Sequence, residues 1–435
     1  MKPHPQSSKT ANLSEPGSTQ HGRASGMRSA SSLLLLVLFL ALAPTALASS
    51  TWYVDGVNGS DNNDCTSPQA ACKTIGHAIS LASSGDSIMV AAATYTENLS
   101  IGFSLKVIGS GAATTIIEGG GVNTVVTISS ATAHVSLSKL TIQNGSARLG
   151  GGIANGGTLA ISDSTISGNH ASSYGGGVHS SGMLAINNST ITGNRVVGGC
   201  KKCGAVGGGI SNVGTLIINN STISGNSTAG LLGGAGGGIF NKGKLSIKNS
   251  TINANDGGCC GGGIDNFGKL SISNSTVGLN QSVQGGGILN AGTLTTNNST
   301  ISGNSAANGW GGGIFNDYKT VSLQNTIVAN SPSGGNCSGP MASNGYNLSS
   351  DNTCNFNNTG DLNNTDPVLG PLQNNGGPTQ TQALLSGSPA IDAGNPSGCT
   401  DGQGHLLKTD QRGAPRPDHE DTGGCDMGAY ERQKD

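Results

Sequence analysis

The chain has 435 residues, including 73 glycines, with 10% charged and 3% aromatic residues and a formal net charge of -2. Because Leu, Ile and Val recur along most of its length, the composition excludes a disordered chain, in which β-branched residues are scarce and net charge is high. The low charge without a basic cluster excludes nucleic acid as a partner. The length predicts either several domains or one repeating architecture.

Residues 1–48 are predicted to form an N-terminal tail and signal peptide. Arg23 and Arg28 precede the apolar run Leu33–Leu42, and the small-residue sequence Ala46-Leu-Ala48 follows. This order is typical of a secretory signal, so we expect cleavage after Ala48 and a secreted or cell-surface protein. No transmembrane segment would remain after cleavage. The alternative, an N-terminal membrane anchor, is disfavoured because the apolar run is too short to span a bilayer comfortably.

Four short motifs follow the signal within residues 49–149. They are Tyr53-Val-Asp-Gly-Val-Asn-Gly-Ser60, Lys73-Thr-Ile-Gly-His-Ala-Ile-Ser-Leu-Ala82, Gly85-Asp-Ser-Ile88 and Thr94-Tyr-Thr-Glu-Asn98. This stretch resembles the N-terminal segment of bacterial right-handed β-helix proteins of the pectate-lyase-like superfamily, in which a short amphipathic helix caps the first coil. The resemblance implies that residues 49–149 form an N-terminal cap and the first coils, and Ile75, Ile79 and Leu81 suit one face of such a helix.

Residues 150–330 contain a Gly/Asn-rich repeat. Its copies begin at Gly150, Gly175, Gly207, Gly236, Gly261, Gly285 and Gly311, with spacers of variable length between them. Pairs such as Leu159 and Ile161 alternate with polar residues, which is the period of a strand with one buried face. We therefore predict an all-β, right-handed parallel β-helix, a solenoid whose coils each contain three short strands. The repeats resemble those of polymorphic outer-membrane proteins.

Asparagine recurs at fixed repeat positions. One set is Asn155, Asn212, Asn241, Asn266, Asn290 and Asn316, with Ser180 as the exception; a second runs from Asn169 to Asn330. Asparagine tolerates left-handed geometry and its amide can bond to the same amide one coil away, so we predict two ladders along the axis. Asn-Ser-Thr triplets such as Asn188-Ser-Thr190 also match the glycosylation sequon, but their fixed repeat position favours a structural role.

Ten cysteines in an exported chain predict disulfides. The expected pairs are Cys65 with Cys72, Cys337 with Cys354, and Cys399 with Cys425. Cys200 and Cys203 are expected to pair with Cys259 and Cys260, because their inserts leave the same edge two coils apart. The alternative for these four, a zinc site of four thiolates, is disfavoured by export. No metal or other cofactor is predicted.

Residues 331–435 form a separate C-terminal region. It contains Gly345-Tyr-Asn-Leu348, Asp366-Pro-Val-Leu-Gly-Pro371, Asn374-Asn-Gly-Gly-Pro378, Gly387-Ser-Pro-Ala-Ile-Asp-Ala-Gly394, Thr409-Asp-Gln-Arg-Gly413 and Cys425-Asp-Met-Gly-Ala-Tyr-Glu431. These motifs are similar to those of the choice-of-anchor Q domain, which implies the C-terminal end of an extracellular β-helix protein. We expect this region to cap the last coil, because an open solenoid end exposes strand edges. No anchor motif follows Glu431, so we expect release of the protein from the cell as much as its attachment to the surface.

The position after the first repeat isoleucine is expected to point outward. It holds Ala154, His179, Ser211, Phe240, Asp265, Leu289 and Phe315. We predict that His179, Phe240, Asp265 and Phe315 form a glycan-binding stripe, since exposed aromatic rings offer flat apolar faces. The alternative is variable surface sequence.

Catalysis receives no candidate residues. Uronate elimination needs a calcium-binding carboxylate cluster beside an Arg or Lys base, and glycoside hydrolysis needs two carboxylates about 5 to 9.5 Å apart. The repeats contain few acids, and the sequence places neither arrangement on neighbouring coils. The function predicted is therefore noncatalytic, adhesive or glycan-binding, with polysaccharide or a cell-surface glycan as partner. The alternative is a pectate-lyase-like polysaccharide lyase or hydrolase.

Overall fold

The computed structural model describes residues 49–434, apart from 199–203, 231–232, 402–403 and 419–423. The predicted signal segment lies outside the described residues, as do Cys200 and Cys203. The described chain winds into coils whose strands pair in parallel with the equivalent strands of the next coil. This confirms the all-β, right-handed parallel β-helix.

Three long parallel sheets run along the axis. Sheet A has 12 strands: Thr51–Val54, Ser87–Val90, Leu105–Gly109, His134–Ser138, Thr158–Ser162, Met183–Asn187, Thr215–Asn219, Lys244–Lys248, Lys269–Ser273, Thr293–Asn297, Thr320–Gln324 and Ala342–Ser343. Sheet B has 11: Ala93–Thr96, Thr115–Glu118, Thr141–Gln143, Thr165–Ser167, Thr190–Thr192, Thr222–Ser224, Thr251–Asn253, Thr276–Gly278, Thr300–Ser302, Ile327–Ala329 and Leu348–Ser349. Sheet C has 10: Leu99–Ile101, Val126–Ile128, Ile153–Asn155, Val178–Ser180, Ile210–Asn212, Ile239–Asn241, Ile264–Asn266, Ile288–Asn290, Ile314–Asn316 and Cys337–Ser338.

The spacers between repeats add a fourth parallel sheet, sheet D, which corrects the expectation of three strands per coil. It consists of Ser146–Leu149, His170–Tyr174, Arg195–Gly198, Ala205–Val206, Ser227–Gly230 and Gly234–Ala235, with a further parallel pair, Gln281–Gln284 and Ser305–Trp310. Three small apolar residues of this sheet, Ala171, Val196 and Ala205, form a buried cluster of their own. The spacers therefore also alternate buried and exposed residues, as strands do. Their buried residues are small, so the pattern indicates a strand less clearly than the Leu and Ile of the repeat.

The core lies inside the coils, where the strands direct alternate side chains. Leu159 and Ile161 of sheet A, Ile166 of sheet B and Ile153 of sheet C are all buried in one continuous cluster. Burial of a Leu or Ile side chain contributes about 1.5–3 kcal/mol, so the repeated aliphatic positions are the main source of stability. The two-residue period read from the sequence is thus the period of this core.

Both asparagine ladders form in the buried interior. Nδ2 of each asparagine from Asn212 to Asn290 donates to Oδ1 of the next in its set, at 2.8–3.0 Å. The second ladder runs from Asn169 to Asn304 with the same bond at 2.9–3.0 Å. Asn330 is exposed and lies outside this ladder, contrary to expectation, because the chain leaves the repeat path there.

Left-handed turns connect sheets A and B. They are made by the first residue of the Asn-Ser-Thr triplets, and Asn188, Asn220, Asn249, Asn274 and Asn298 have φ values between 48° and 53°. Asparagine is among the few residues that tolerate this conformation, which supports the structural interpretation of the triplets. Gly150 makes the equivalent turn before sheet C, with φ of 58°.

A seven-residue helix, Ile75–Leu81, lies at the N-terminal end, with a 3₁₀ turn, Pro68–Ala70, before it. Thr74 caps the helix by accepting a hydrogen bond from the backbone of His77, and the Glu97 carboxylate accepts the N–H groups of Ile75 and Gly76. Ile75 and Ile79 are buried, and Leu81 is exposed. No helix in the described part of the chain is long and apolar enough to cross a membrane.

The C-terminal region covers both the last coil and one side of the rod. Residues 337–349 add one partial coil, while Leu369–Gln373 and Thr381–Leu384 form an antiparallel pair. Buried Gln411 then bonds to Thr251 and Thr276 of sheet B, far from the last coil. Capping of the end alone was therefore too narrow an expectation, because the open hydroxyl-rich face of sheet B also offers this region hydrogen-bond partners.

Three of the predicted disulfides are confirmed: Cys65 with Cys72, Cys337 with Cys354, and Cys399 with Cys425. Cys259 and Cys260 bond to each other, so their predicted pairing with Cys200 and Cys203 is wrong. The cause is local: a tight turn, closed by the bond from Cys260 N–H to the Gly257 carbonyl, places the adjacent sulfurs together. This disulfide also removes both thiolates from the alternative zinc site.

Candidate functional site

The four residues of the predicted stripe lie in one row along the middle of sheet C. In register order the row is His179, Ser211, Phe240, Asp265, Leu289 and Phe315. Neighbouring strands are about 4.8 Å apart, so the row extends about 24 Å. The structure therefore brings the predicted residues together, as the repeat position required.

Their exposure differs from the prediction. Phe240 is 6% exposed, Phe315 is 7% exposed and Asp265 is 1% exposed, so none of them presents an open face. The cause is a second layer of aromatic residues. The Phe267 ring lies 5.7 Å from that of Phe240, and the Trp310 ring packs edge-on against Phe315 at 5.2 Å.

The second layer is what solvent meets. Phe267 is 50% exposed and Trp310 is 49% exposed. Sequence reasoning missed both residues because they lie outside the compared position: Phe267 follows the ladder residue Asn266, and Trp310 directly precedes a glycine triplet. Tyr174 occupies the equivalent place before the triplet at Gly175. An aromatic residue immediately before a glycine triplet was therefore the sequence signal that could have identified Trp310.

A groove of about 380 Å³ opens at the N-terminal part of this row, and we call it the sheet C groove. Its lining consists of Arg148, Leu149, Tyr174, His179, Val213, Phe240 and Lys242. Arg148, Leu149 and Tyr174 belong to sheet D. The other four belong to sheet C or to the turn that follows one of its strands. The groove therefore lies between two sheets that run along the same axis.

Ring and cation contacts fix the lining. The Tyr174 and His179 rings are 6.0 Å apart, and His179 Nδ1 lies 3.4 Å from the Ser211 hydroxyl oxygen. Lys242 Nζ lies 5.5 Å from the centre of the Phe240 ring, within the range of a cation–π interaction. Burial lowers the pKa of His179, so this ring is neutral at pH 7 and offers an aromatic face without charge.

Asp265 lies one coil beyond the groove floor, between Phe240 and Leu289. Burial raises its pKa to about 7, and the nearby Lys242 ammonium opposes this effect. One carboxylate oxygen, Oδ1, has no hydrogen-bond partner. A buried acid without a full set of partners is costly, and such groups are concentrated at functional sites.

Three side chains of the types that bind metals lie close enough to share an ion in the described part of the chain. They are Cys65, Cys72 and His77. Its two cysteines form a disulfide, so they offer no thiolate. Asp265 has no second acid at its register neighbours, which are Phe240 and Leu289.

No protein-family model matches the chain, and no curated protein matches it either. Solved structures do match, and they show the fold: the chain folds as a right-handed parallel β-helix, similar to that of a pectate lyase. The pectate lyase Pel9A has a TM-score of 0.52 and 13% sequence identity, over 88% of this chain and 96% of that chain. At such low identity this likeness shows the fold alone.

Two further β-helix structures match with lower TM-scores. XylC, solved in complex with xylose, gives a TM-score of 0.47 and 9% identity over 88% of this chain and 98% of its own. A rhamnogalacturonan lyase gives 0.36 and 11% identity over 78% of this chain and 96% of its own.

Proposed function

We propose that this protein is a noncatalytic glycan-binding protein of the cell surface or extracellular space, and that it binds carbohydrate in the sheet C groove. The observation that carries the proposal is the combination of ring faces and cations along that groove. Tyr174 and His179 provide neutral rings, while Arg148 and Lys242 provide N–H donors. This is the set of side chains that a sugar needs.

Each part of the lining suits one part of a sugar. Aromatic faces pack against the apolar C–H face of a pyranose ring, as they do against other flat apolar surfaces. Guanidinium and ammonium groups donate hydrogen bonds to hydroxyl, ring or carboxylate oxygens. Because the lining residues lie on or directly beside strands, little conformational entropy is lost on binding.

The row continues beyond the groove, which favours a polymer over a single sugar. Half-exposed Phe267 and Trp310 extend the aromatic surface along the axis towards the C-terminal coils. A solenoid repeats its surface positions at each coil, so successive sugars would meet equivalent places. Weak contacts of this kind gain affinity by repetition.

The extracellular location rests on the disulfides, which persist in oxidising compartments. The predicted signal peptide agrees with it. Pel9A, one of the solved structures similar in fold, is by name a pectate lyase. The resemblance of residues 331–431 to the choice-of-anchor Q domain, and of the repeats to polymorphic outer-membrane proteins, adds display on a surface to the proposal.

One observation favours the second candidate, a polysaccharide lyase or hydrolase. Burial raises the pKa of the Asp265 carboxyl group to about 7, the range in which a general acid operates, and the Lys242 ammonium is near enough to oppose this shift. Its 1% exposure argues against direct contact with a substrate. Release of unsaturated uronates from polygalacturonate with calcium, or of reducing ends from xylan, would establish this candidate in place of binding alone.

The test of binding is affinity electrophoresis of the purified protein in gels that contain polygalacturonate, xylan or a β-glucan. We expect retardation by at least one polymer and no change in polymer length. Tyr174→Ala and Lys242→Ala should each weaken binding by about 5- to 30-fold, the usual effect of removing an anchoring side chain.

Tyr318→Ala is the matched control, because Tyr318 is 85% exposed and lies at the other end of the row. It should leave the binding of short oligosaccharides unchanged. Equal affinity of the Tyr174→Ala, Lys242→Ala and parent proteins would show that the groove is not the binding site.

A further inference from the structure

A second cleft, of about 330 Å³, lies on the outer face of sheet A, away from the sheet C groove. Its floor is formed by the strands Lys244–Lys248, Lys269–Ser273 and Thr293–Asn297, and its wall by the C-terminal loop that carries Asp401. The Asn298 side chain donates a hydrogen bond of 2.5 Å to the Thr400 carbonyl and thereby holds the loop over the sheet. We call this the sheet A cleft.

Positive charge is concentrated on the floor of the sheet A cleft. Lys248 and Lys269 both line it, and Lys244 is the register partner of Lys269. Like charges directly opposite each other on neighbouring strands destabilise a sheet. At the same repeat position the neighbouring coils carry Thr215 and Thr293, which show that this position does not require a charge for folding.

Two buried polar groups in the same place lack partners. Ser273 lines the cleft and is 7% exposed, and its register partner Asn297 is 3% exposed. Neither the Ser273 hydroxyl nor the Asn297 amide nitrogen Nδ2 has a hydrogen-bond partner. Buried donors are nearly always satisfied, so a pair of unsatisfied donors under a lysine-lined opening indicates a missing acceptor.

The acid at the rim is already engaged. Asp401 Oδ2 lies 3.2 Å from His405 Nδ1, and the His405 backbone N–H donates to Oδ1 of the same carboxylate at 3.0 Å. Asp401 is therefore held by its own loop. The floor offers donors: two ammonium groups and the hydroxyls of Ser271 and Ser273. The buried Asn297 amide lies beside Ser273 on the next strand.

We propose that the sheet A cleft is an oxyanion site, which binds a sulfate or phosphate group through Lys248, Lys269, Ser273 and Asn297. A tetrahedral oxyanion presents several acceptor oxygens to converging donors and carries the charge that two lysines compensate. The site is separate from the sheet C groove and does not depend on glycan binding there. The same chemistry has two sources, a free inorganic ion or an ester group on a polymer.

The experiment measures binding of inorganic sulfate, inorganic phosphate and dextran sulfate to the purified full-length chain by titration calorimetry, with unsulfated dextran as the blank. Lys269→Thr copies the residue of the next coil, and Lys248→Asn copies that of the preceding coil, Asn219. Both variants are thus compatible with the sheet. Each should weaken anion binding by about tenfold, and Ser273→Ala by about threefold, as expected for charged and neutral hydrogen bonds.

Lys106→Ser is the matched control, because Lys106 is an exposed lysine on the same sheet at an early coil and its register partner is Ser136. This variant should not change anion affinity. Binding of dextran sulfate, lost in Lys269→Thr, supports the site with a polymer as its ligand. Binding of the inorganic ions alone, with the same dependence on Lys269, supports it with a free ion.

Two results would overturn the proposal. The first is no measurable binding of sulfate, phosphate or dextran sulfate by the parent chain. The second is binding that falls as much in Lys106→Ser as in Lys269→Thr, since that pattern belongs to general attraction between charges and not to a built site.

Discussion

Replacing Asp265 with Asn should stabilise the protein at pH 8 and leave its stability unchanged at pH 4. Asn has the shape of a protonated Asp and cannot ionise. Asp265 is buried between Phe240 and Leu289 with one oxygen unpartnered, so the folded protein holds its charged form poorly. The substitution therefore removes a cost that exists only when Asp265 is ionised.

The magnitude follows from the difference between the folded and unfolded pKa values. The pKa of Asp265 is about 7 in the folded protein, and the ordinary pKa of an Asp side chain, which the unfolded chain has, is 3.8. Above pH 4 the unfolded chain loses this proton while the folded chain keeps it, so stability falls as pH rises and levels off above the folded pKa. A difference of about three pH units, at about 1.36 kcal/mol each, gives a loss of about 4 kcal/mol in the free energy of unfolding, which local relaxation would reduce.

The assay is urea unfolding followed by circular dichroism at pH 4 and pH 8, for the parent chain and Asp265→Asn. Asp163→Asn is the control, because Asp163 is exposed, has φ of 49° and occupies a position where other coils carry Asn. We expect Asp265→Asn to gain about 2–4 kcal/mol at pH 8 relative to pH 4, and Asp163→Asn to gain less than about 0.5 kcal/mol. An equal effect of Asp265→Asn at both pH values would show that Asp265 ionises as readily in the folded chain as in the unfolded chain, and that burial does not raise its pKa.

Three further predictions concern the scaffold. Gly262→Ala should destabilise the protein by about 3 kcal/mol or more, because the new methyl group would meet backbone carbonyls of the next coil. Gly168→Ala, whose methyl group would lie in open space, should cost about 1 kcal/mol, and thermal unfolding distinguishes the two variants. Asn266→Ala should cost about 2–4 kcal/mol in urea unfolding because it removes the hydrogen bonds that join the Asn266 amide to both neighbouring coils in the interior. Arg416→Ala should cost about 3–5 kcal/mol, or release the C-terminal region to limited proteolysis, because it leaves the buried Glu431 carboxylate without its 2.6 Å partner.

Features with a local or periodic cause could be predicted from the sequence. The alternation of Leu159 and Ile161 specifies a strand by itself, and its repetition specifies the stacking of coils. Asn266 occupies the same repeat position as Asn290, so parallel stacking alone places their amides in contact. Cys65 and Cys72 are seven residues apart, so a short loop brings them together.

Features built by residues far apart in the chain could not be predicted. Gln411 and Thr276 are 135 residues apart, and no period links the C-terminal region to sheet B. The burial of Phe315 depends on Trp310, which lies in a spacer of variable length. Trp310 was missed for this reason: repeat analysis compares equivalent positions, and spacers have none. Phe267 lies within the repeat, but at a position other than the one compared.

The repeat departs from its most stable choices at two places, and each has a cleft beside it. Asp265 occupies a buried position where the adjacent coils carry Phe240 and Leu289, and Lys269 lies opposite Lys244 where a neighbouring coil carries Thr293. Both departures cost stability that an apolar or neutral residue would restore. Phe240, Leu289 and Thr293 show that neighbouring coils fold with uncharged residues at these positions, so folding does not require either charge. At the proposed sheet A cleft a bound anion would supply the partner that Lys269 lacks, whereas Asp265 is buried one coil beyond the proposed sheet C groove and would act there only through its neighbours.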